Sequence, residues 1–220
     1  MDKKLNKAYY IILGILIILF FNKDSSENKF YKNIKFIENQ NDLLVLVNKN
    51  NQLKANFIPQ NLESISLKFA NADKYLRKEA KEQFEKLSND AYNLGYRIIA
   101  VSAYRDYNYQ LELFNYYVEE KGLEYALNCS AKAGHSEHQT GLAVDVEGSN
   151  KDYDDFENSK EFEWMKDNAH KYGFILRYPK GKEEITGFKY EPWHYRYVGI
   201  EVANYIYKNK LTLEEYIEKK

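Results

Sequence analysis

Apolar residues recur along most of the chain at spacings that separate helix from strand. Between residues 73 and 95, Leu76, Ala80, Phe84, Leu87, Ala91 and Leu94 return every three or four positions. That spacing predicts an amphipathic helix, with Asp73 as its cap and Gly95 as its stop. Tyr96–Ser102 reads as a strand that delivers Tyr104 and Arg105 at its end, and a second helix follows with Tyr107, Leu111, Phe114 and Val118 on one face. Phe162, Met165, Ala169 and Tyr172 mark another helix ended by Gly173; Phe174–Tyr178 is then a strand, turned by Pro179 and Gly181. Val198–Tyr207 reads as a helix, and Thr212 and Glu215 have the spacing of a capping box for a last short one. Nearer the start, Leu43–Val47 is an expected strand closed by the turn-like Asn48–Asn51, and Phe57–Pro59 leads into an irregular segment. Strands and helices do not alternate regularly enough for a doubly wound parallel sheet. The expected fold class is α+β, a single compact domain in which helices pack on a mostly antiparallel sheet.

Two stretches depart from this pattern. The first is the unbroken apolar run Ala8–Phe21, which follows Lys3, Lys4 and Lys7. It fits the length of a signal-peptide core, but no small-x-small cleavage site follows it, which favours an uncleaved signal-anchor helix. Basic residues ahead of the run place the N-terminus inside and the rest of the chain outside the membrane. The expected organisation is therefore an anchor at 1–22, a polar tether at 23–41 and a main domain at 42–220, on the outer side of the cell membrane. Cleavage after the run would instead give a secreted protein.

The second departure is Asp145 inside the apolar, β-branched stretch Leu142–Val146. A carboxylate in a strand core costs several kcal/mol unless it is paired or coordinated. Gly141 permits a tight turn that brings His138 and Asp145 to one point from either side, and an imidazole with a carboxylate suits zinc. His194 offers a third ligand. Pro192 keeps Glu191 and His194 out of a helix interior, so Glu191 can stand beside the open fourth position as general base. Asp145 is alternatively a buried ion-pair partner, and Glu191 an acid that merely orients a ligand histidine. His135 and His170 read as ordinary core or surface histidines.

Composition narrows the function further. Thirty-two Lys and Arg against 33 Asp and Glu leave a net charge of -1, with no basic excess for nucleic acid. The one cysteine, Cys129, has no partner for a disulfide or a thiolate zinc site, and reads as a packing residue.

The segments Ser136-x-His138-x-x-Gly141-x-Ala143-x-Asp145 and Glu191-x-x-His194 resemble the VanY-type zinc D-alanyl-D-alanine carboxypeptidases. Ser102–Gln110, Tyr172–Pro179 and Leu213–Tyr216 extend the resemblance over roughly residues 43 to 218, in the same order. Ala103 and Asp106 stand where that family usually has glycine and serine, and Ala133 where proline is common. The resemblance implies one zinc per chain on His138, Asp145 and His194, with Glu191 as base and Arg105 facing the substrate, where a guanidinium stabilises developing oxyanion charge. It also implies that Gln110, Ser136 and Tyr178 contact substrate. Read as residues alone, Arg105 is alternatively a surface ion-pair partner, Gln110 and Ser136 are equally helix-face and turn polar groups, and Tyr178 is equally a core ring. The implied partners are peptidoglycan stem peptides ending in D-alanine. The bond cut is the D,D bond, with an L,D bond or an internal peptide bond as alternatives, and a zinc-stabilised wall-binding module without turnover as the contrasting class.

Overall fold

The computed structural model describes residues 31–149 and 155–219. The expected signal-anchor and the first part of the tether lie outside the described residues. Among those described, no helix is long and apolar enough to cross a membrane. The part of the polar stretch that is described packs on the domain. Tyr31 is buried and its hydroxyl accepts from the Lys132 N–H at 3.0 Å, while β1 (Lys35–Phe36) pairs in parallel with β2 (Asn51–Gln52).

A short antiparallel ribbon of β3 (Leu62–Ser64) and β4 (Tyr75–Arg77) precedes α1 (Lys78–Asn93). Then come β5 (Ile99–Ser102), α2 (Tyr107–Lys121), α3 (Leu123–Cys129) and β6 (Ala143–Glu147). The remainder is α4 (Lys160–Asn168), β7 (Phe174–Leu176), α5 (Glu183–Thr186), β8 (His194–Tyr197), α6 (Ile200–Asn209) and α7 (Leu213–Glu218). The central sheet has the order β5-β6-β8-β7 and is antiparallel throughout. This is the expected α+β architecture of helices on an antiparallel sheet.

Alternation along the strands divides the sheet into two unlike faces. Val144 and Val146 of β6 join Tyr195 and Tyr197 of β8 in the main core, where Ala80, Phe84, Leu87 and Ala91 of α1 also lie. Phe84 is completely buried, and truncating it to alanine should cost about 3–5 kcal/mol. Between those core residues, Asp145, His194 and Arg196 point to the opposite face, yet they are buried too. That second face is a buried polar layer, and it carries the site.

Several expected boundaries move. Leu43–Val47 is not a strand, although Val45 and Val47 are buried. The carbonyls of Leu43 and Val45 accept from the Arg196 guanidinium, each at 2.9 Å, instead of from a neighbouring strand. The helix expected from Asp73 begins only at Lys78, because Tyr75–Arg77 is spent on the ribbon; Leu76 is buried from a strand, and Leu94 is exposed. On α2 the buried positions are Gln110 and Phe114, while Leu111 is exposed. Asp106 caps that helix by accepting from the Tyr109 N–H at 2.8 Å, an interaction worth about 1 kcal/mol. The capping box of Thr212 and Glu215 forms as its spacing predicts.

Candidate active site

A single turn of 3-10 helix, Glu137–Thr140, leads into β6. The Ser136 hydroxyl caps it, and Gly141 ends it at φ 67°. A side chain at Gly141 would meet Leu62 at 2.9 Å, so both the left-handed backbone and the close packing require glycine. This tight return carries His138 over the polar face of β6. On the neighbouring strand, His194 lies directly across from Asp145 in the ladder. The remaining corner comes from the turn before β8, where the His194 N–H donates to the Glu191 carbonyl at 3.2 Å.

His138, Asp145 and His194 are all buried, and one potential ligand atom from each lies within 4.8 Å of the others. His138 Nε2 is 3.2 Å from Asp145 Oδ2, and His194 Nδ1 is 2.8 Å from Asp145 Oδ1. The other nitrogen of each ring points away from this cluster. His138 Nδ1 donates to the Ala103 carbonyl at 2.6 Å, which leaves the Nε2 lone pair facing the carboxylate. Two electron-rich atoms in that position require a cation between them. His194 Nε2 faces Glu137 Oε2 at 3.6 Å, so its Nδ1 can likewise offer a lone pair. Two imidazoles and a carboxylate aimed at one point form a donor set that fits zinc.

Electrostatics agree with this arrangement. Burial, reinforced by the Arg105 charge, lowers His138 to about 4 despite Asp145. For Asp145, burial is outweighed by His138 and His194, which hold its carboxyl well below the usual range. Burial also opposes the charge on His194, but its hydrogen bond to Asp145 and the facing Glu137 carboxylate raise it to about 9.

Glu191 Oε2 lies 3.8 Å from His194 Nδ1, and its side chain keeps 14% exposure at the cavity wall. Burial raises it to about 7, a value suited to both accepting and returning a proton near neutrality. Arg105 is 3.7 Å from Asp145, and is held by the Ser102 hydroxyl at 2.8 Å and by Gln110 Oε1 at 3.0 Å. Arg105, Glu191, His138, Asp145 and His194 line a cavity of about 190 Å³, together with Ser136, Tyr178 and Trp193.

The structure thus brings together His138, Asp145, His194, Glu191, Arg105, Ser136 and Tyr178. Gln110 stands behind Arg105 instead of at the cavity wall, and both of its amide hydrogens are spent on Ser130 Oγ and the Ala131 carbonyl. Tyr178 is at once a wall residue and a core ring: it lies 4.9 Å from the His194 ring and 5.0 Å from Phe188. Cys129, expected as packing, reaches the cavity wall, and burial pushes its thiol up. His135 and His170 stay outside, the first bonded to the Asn48 carbonyl and the second stacked on Tyr207.

Sequence reasoning missed the layer beneath these residues. Glu137 Oε1 accepts from Arg177 Nε and Arg196 Nη1, both at 2.8 Å, and Arg177 also makes a two-bond fork to Glu214 at 2.9 and 2.7 Å. Burial would raise the Glu137 carboxyl, but the two guanidiniums hold it well below the usual range. The signal was present in the sequence: Arg177 and Arg196 sit within apolar, strand-forming stretches and demand buried anions.

Residues 73–200 match the family model described as VanY, D-alanyl-D-alanine carboxypeptidase. The chain is 43% identical over 179 residues to the bifunctional D-Ala-D-Ala dipeptidase and D-Ala-D-Ala carboxypeptidase VanXYC of Enterococcus gallinarum, covering 79% of this chain and 92% of that protein. The LdcB LD-carboxypeptidase structure superposes with a TM-score of 0.79 at 42% identity, over 84% of this chain and 90% of that one. A variant of the VanY D,D-pentapeptidase from a VanB-type resistance cassette, solved with Zn(II), gives a TM-score of 0.68 at 35% identity, over 79% and 98%.

Proposed function

The chain belongs to the VanY D-alanyl-D-alanine carboxypeptidase family, and from that premise we propose that it is a zinc-dependent hydrolase releasing the C-terminal D-alanine of peptidoglycan stem peptides. The observation that carries the reading is the convergence of His138, Asp145 and His194 beside the half-buried carboxyl of Glu191. Those three side chains would hold one zinc per chain. When bound, the metal supplies Lewis acidity and makes water a competent nucleophile near neutral pH.

The protein's own groups do the rest. Glu191 accepts the proton of the attacking water on its carboxylate and later returns it to the leaving amine of D-alanine. Arg105, clamped by Ser102 and Gln110, directs positive charge toward the oxyanion that forms at the scissile carbonyl. Ser136 and Tyr178 shape the wall against which the terminal residue is held, and Gln110 contributes by fixing Arg105. A wall-binding module would have no use for a carboxylate base beside its metal.

Release of D-alanine from a tetrapeptide, an L,D cleavage, is the second reading. The 0.79 TM-score and 42% identity to the LdcB LD-carboxypeptidase favour it. Mass spectrometry of defined tetrapeptide and pentapeptide stems incubated with the zinc-loaded protein separates the two. Loss of one alanine from the pentapeptide supports the D,D reading, and loss from the tetrapeptide alone replaces it with the L,D one. Release of larger fragments or of nothing would contradict both. The apolar run at 8–21 supports a location outside the cytoplasmic membrane, with residues 1–22 as anchor and 42–220 as the working domain; N-terminal sequencing of the mature protein tests whether the anchor is retained.

A further inference from the structure

We infer that Glu137 is the positioning residue of the metal centre: its Oε2 keeps the proton of His194 on Nε2 and so presents Nδ1 to the metal, while Arg177 and Arg196 fix that carboxylate in place. The inference rests on the zinc reading and deepens it. Two buried polar atoms carry it. Glu137 Oε2 and His194 Nε2 each lack any closer hydrogen-bond partner, and they face one another at 3.6 Å. The remaining oxygen, Oε1, is held by two guanidiniums at 2.8 Å, so the carboxylate cannot rotate away. Arg177 is braced in turn by Glu214 of α7, and Arg196 by the Leu43 and Val45 carbonyls. A carboxylate behind a ligand histidine fixes its tautomer and raises its basicity.

The same geometry makes Glu137→Gln a directed test. The arginines only donate, so they must keep the amide oxygen, which turns the NH2 group toward His194 Nε2. An N–H donor there pulls the His194 proton onto Nδ1, the atom the metal needs. Zinc affinity, measured by chelator competition with circular dichroism confirming the fold, should fall about ten- to a hundredfold in E137Q. Activity should be recovered in part at saturating zinc. E214Q disturbs the same ion network without touching His194, and should stay within about threefold of the parent. The 15N spectrum of zinc-loaded parent protein should place the His194 proton on Nε2.

A folded E137Q protein that binds zinc within about twofold of the parent would overturn the inference, as would E214Q losing as much affinity as E137Q. If E137Q does not fold, the parent spectrum decides: a proton on Nδ1 with zinc on Nε2 refutes the assignment, and the reverse upholds it. A parent protein that binds no zinc would overturn the functional reading itself, a different result from any of these.

Discussion

His138, Asp145 and His194 come from two adjacent strands and the glycine-ended turn that enters one of them, whereas Glu191 and Arg105 stand in the connections just outside the strands. The first group is locked from behind: a backbone carbonyl holds His138, and a buried carboxylate with two arginines lies behind His194. The second group borders the cavity and is held more lightly, Glu191 by its place in a turn and Arg105 by one hydroxyl and one amide. The difference suits the two proposed tasks. Metal ligands need fixed geometry, and their loss removes the ion. A base and a charge stabiliser need access to the reacting atoms, and their loss leaves the ion in place. The two halves should therefore come apart under mutation.

The largest effect belongs to the ligand half. His138→Ala or His194→Ala should abolish stoichiometric zinc and activity together, read by metal analysis beside turnover. Tightly held zinc in a folded His194→Ala protein would remove that residue from the site. Glu191→Gln should keep fold and zinc while losing about 10²–10⁴ in kcat, since the amide cannot accept the water proton. Arg105→Ala should also keep zinc and lose about 10²–10³ in kcat if it acts as an oxyanion donor; a change confined to KM would make it a binding residue instead. The smallest effect comes from pH. His194 in the metal-free protein is raised to about 9, so zinc must displace its proton at neutral pH. Affinity should then rise about tenfold per unit between pH 7 and pH 8.5 and level off above 9. A flat profile in chelator competition would mean that His194 is already deprotonated.

The proposed site was more legible in the sequence than the path that builds it. Asp145 among β-branched residues, Gly141 before it and Glu191 three residues ahead of His194 each broke a local pattern in a way that required chemistry. Leu43–Val47 misled because its apolar side chains are indeed half or fully buried, while the carbonyls that would define a strand are taken by Arg196, 151 to 153 residues away. Leu76 and Leu94 fell on the helical period by coincidence, one buried from a strand and the other exposed. Gln110 took the buried place expected for Leu111 because Arg105 and Ala131 give its amide partners. Glu137 was hidden because an acid beside a ligand histidine looks like ordinary turn polarity. Only the distant arginines of β7's exit and β8 reveal its burial.

The central claim is that one zinc, held by His138, Asp145 and His194, is what makes this chain a hydrolase. Titrating zinc into metal-free protein while following D-alanine release tests it most directly. Activity should be absent at the start, rise linearly and reach its plateau at one zinc per chain. Full activity in the metal-free protein, or a plateau only at two, would contradict the account.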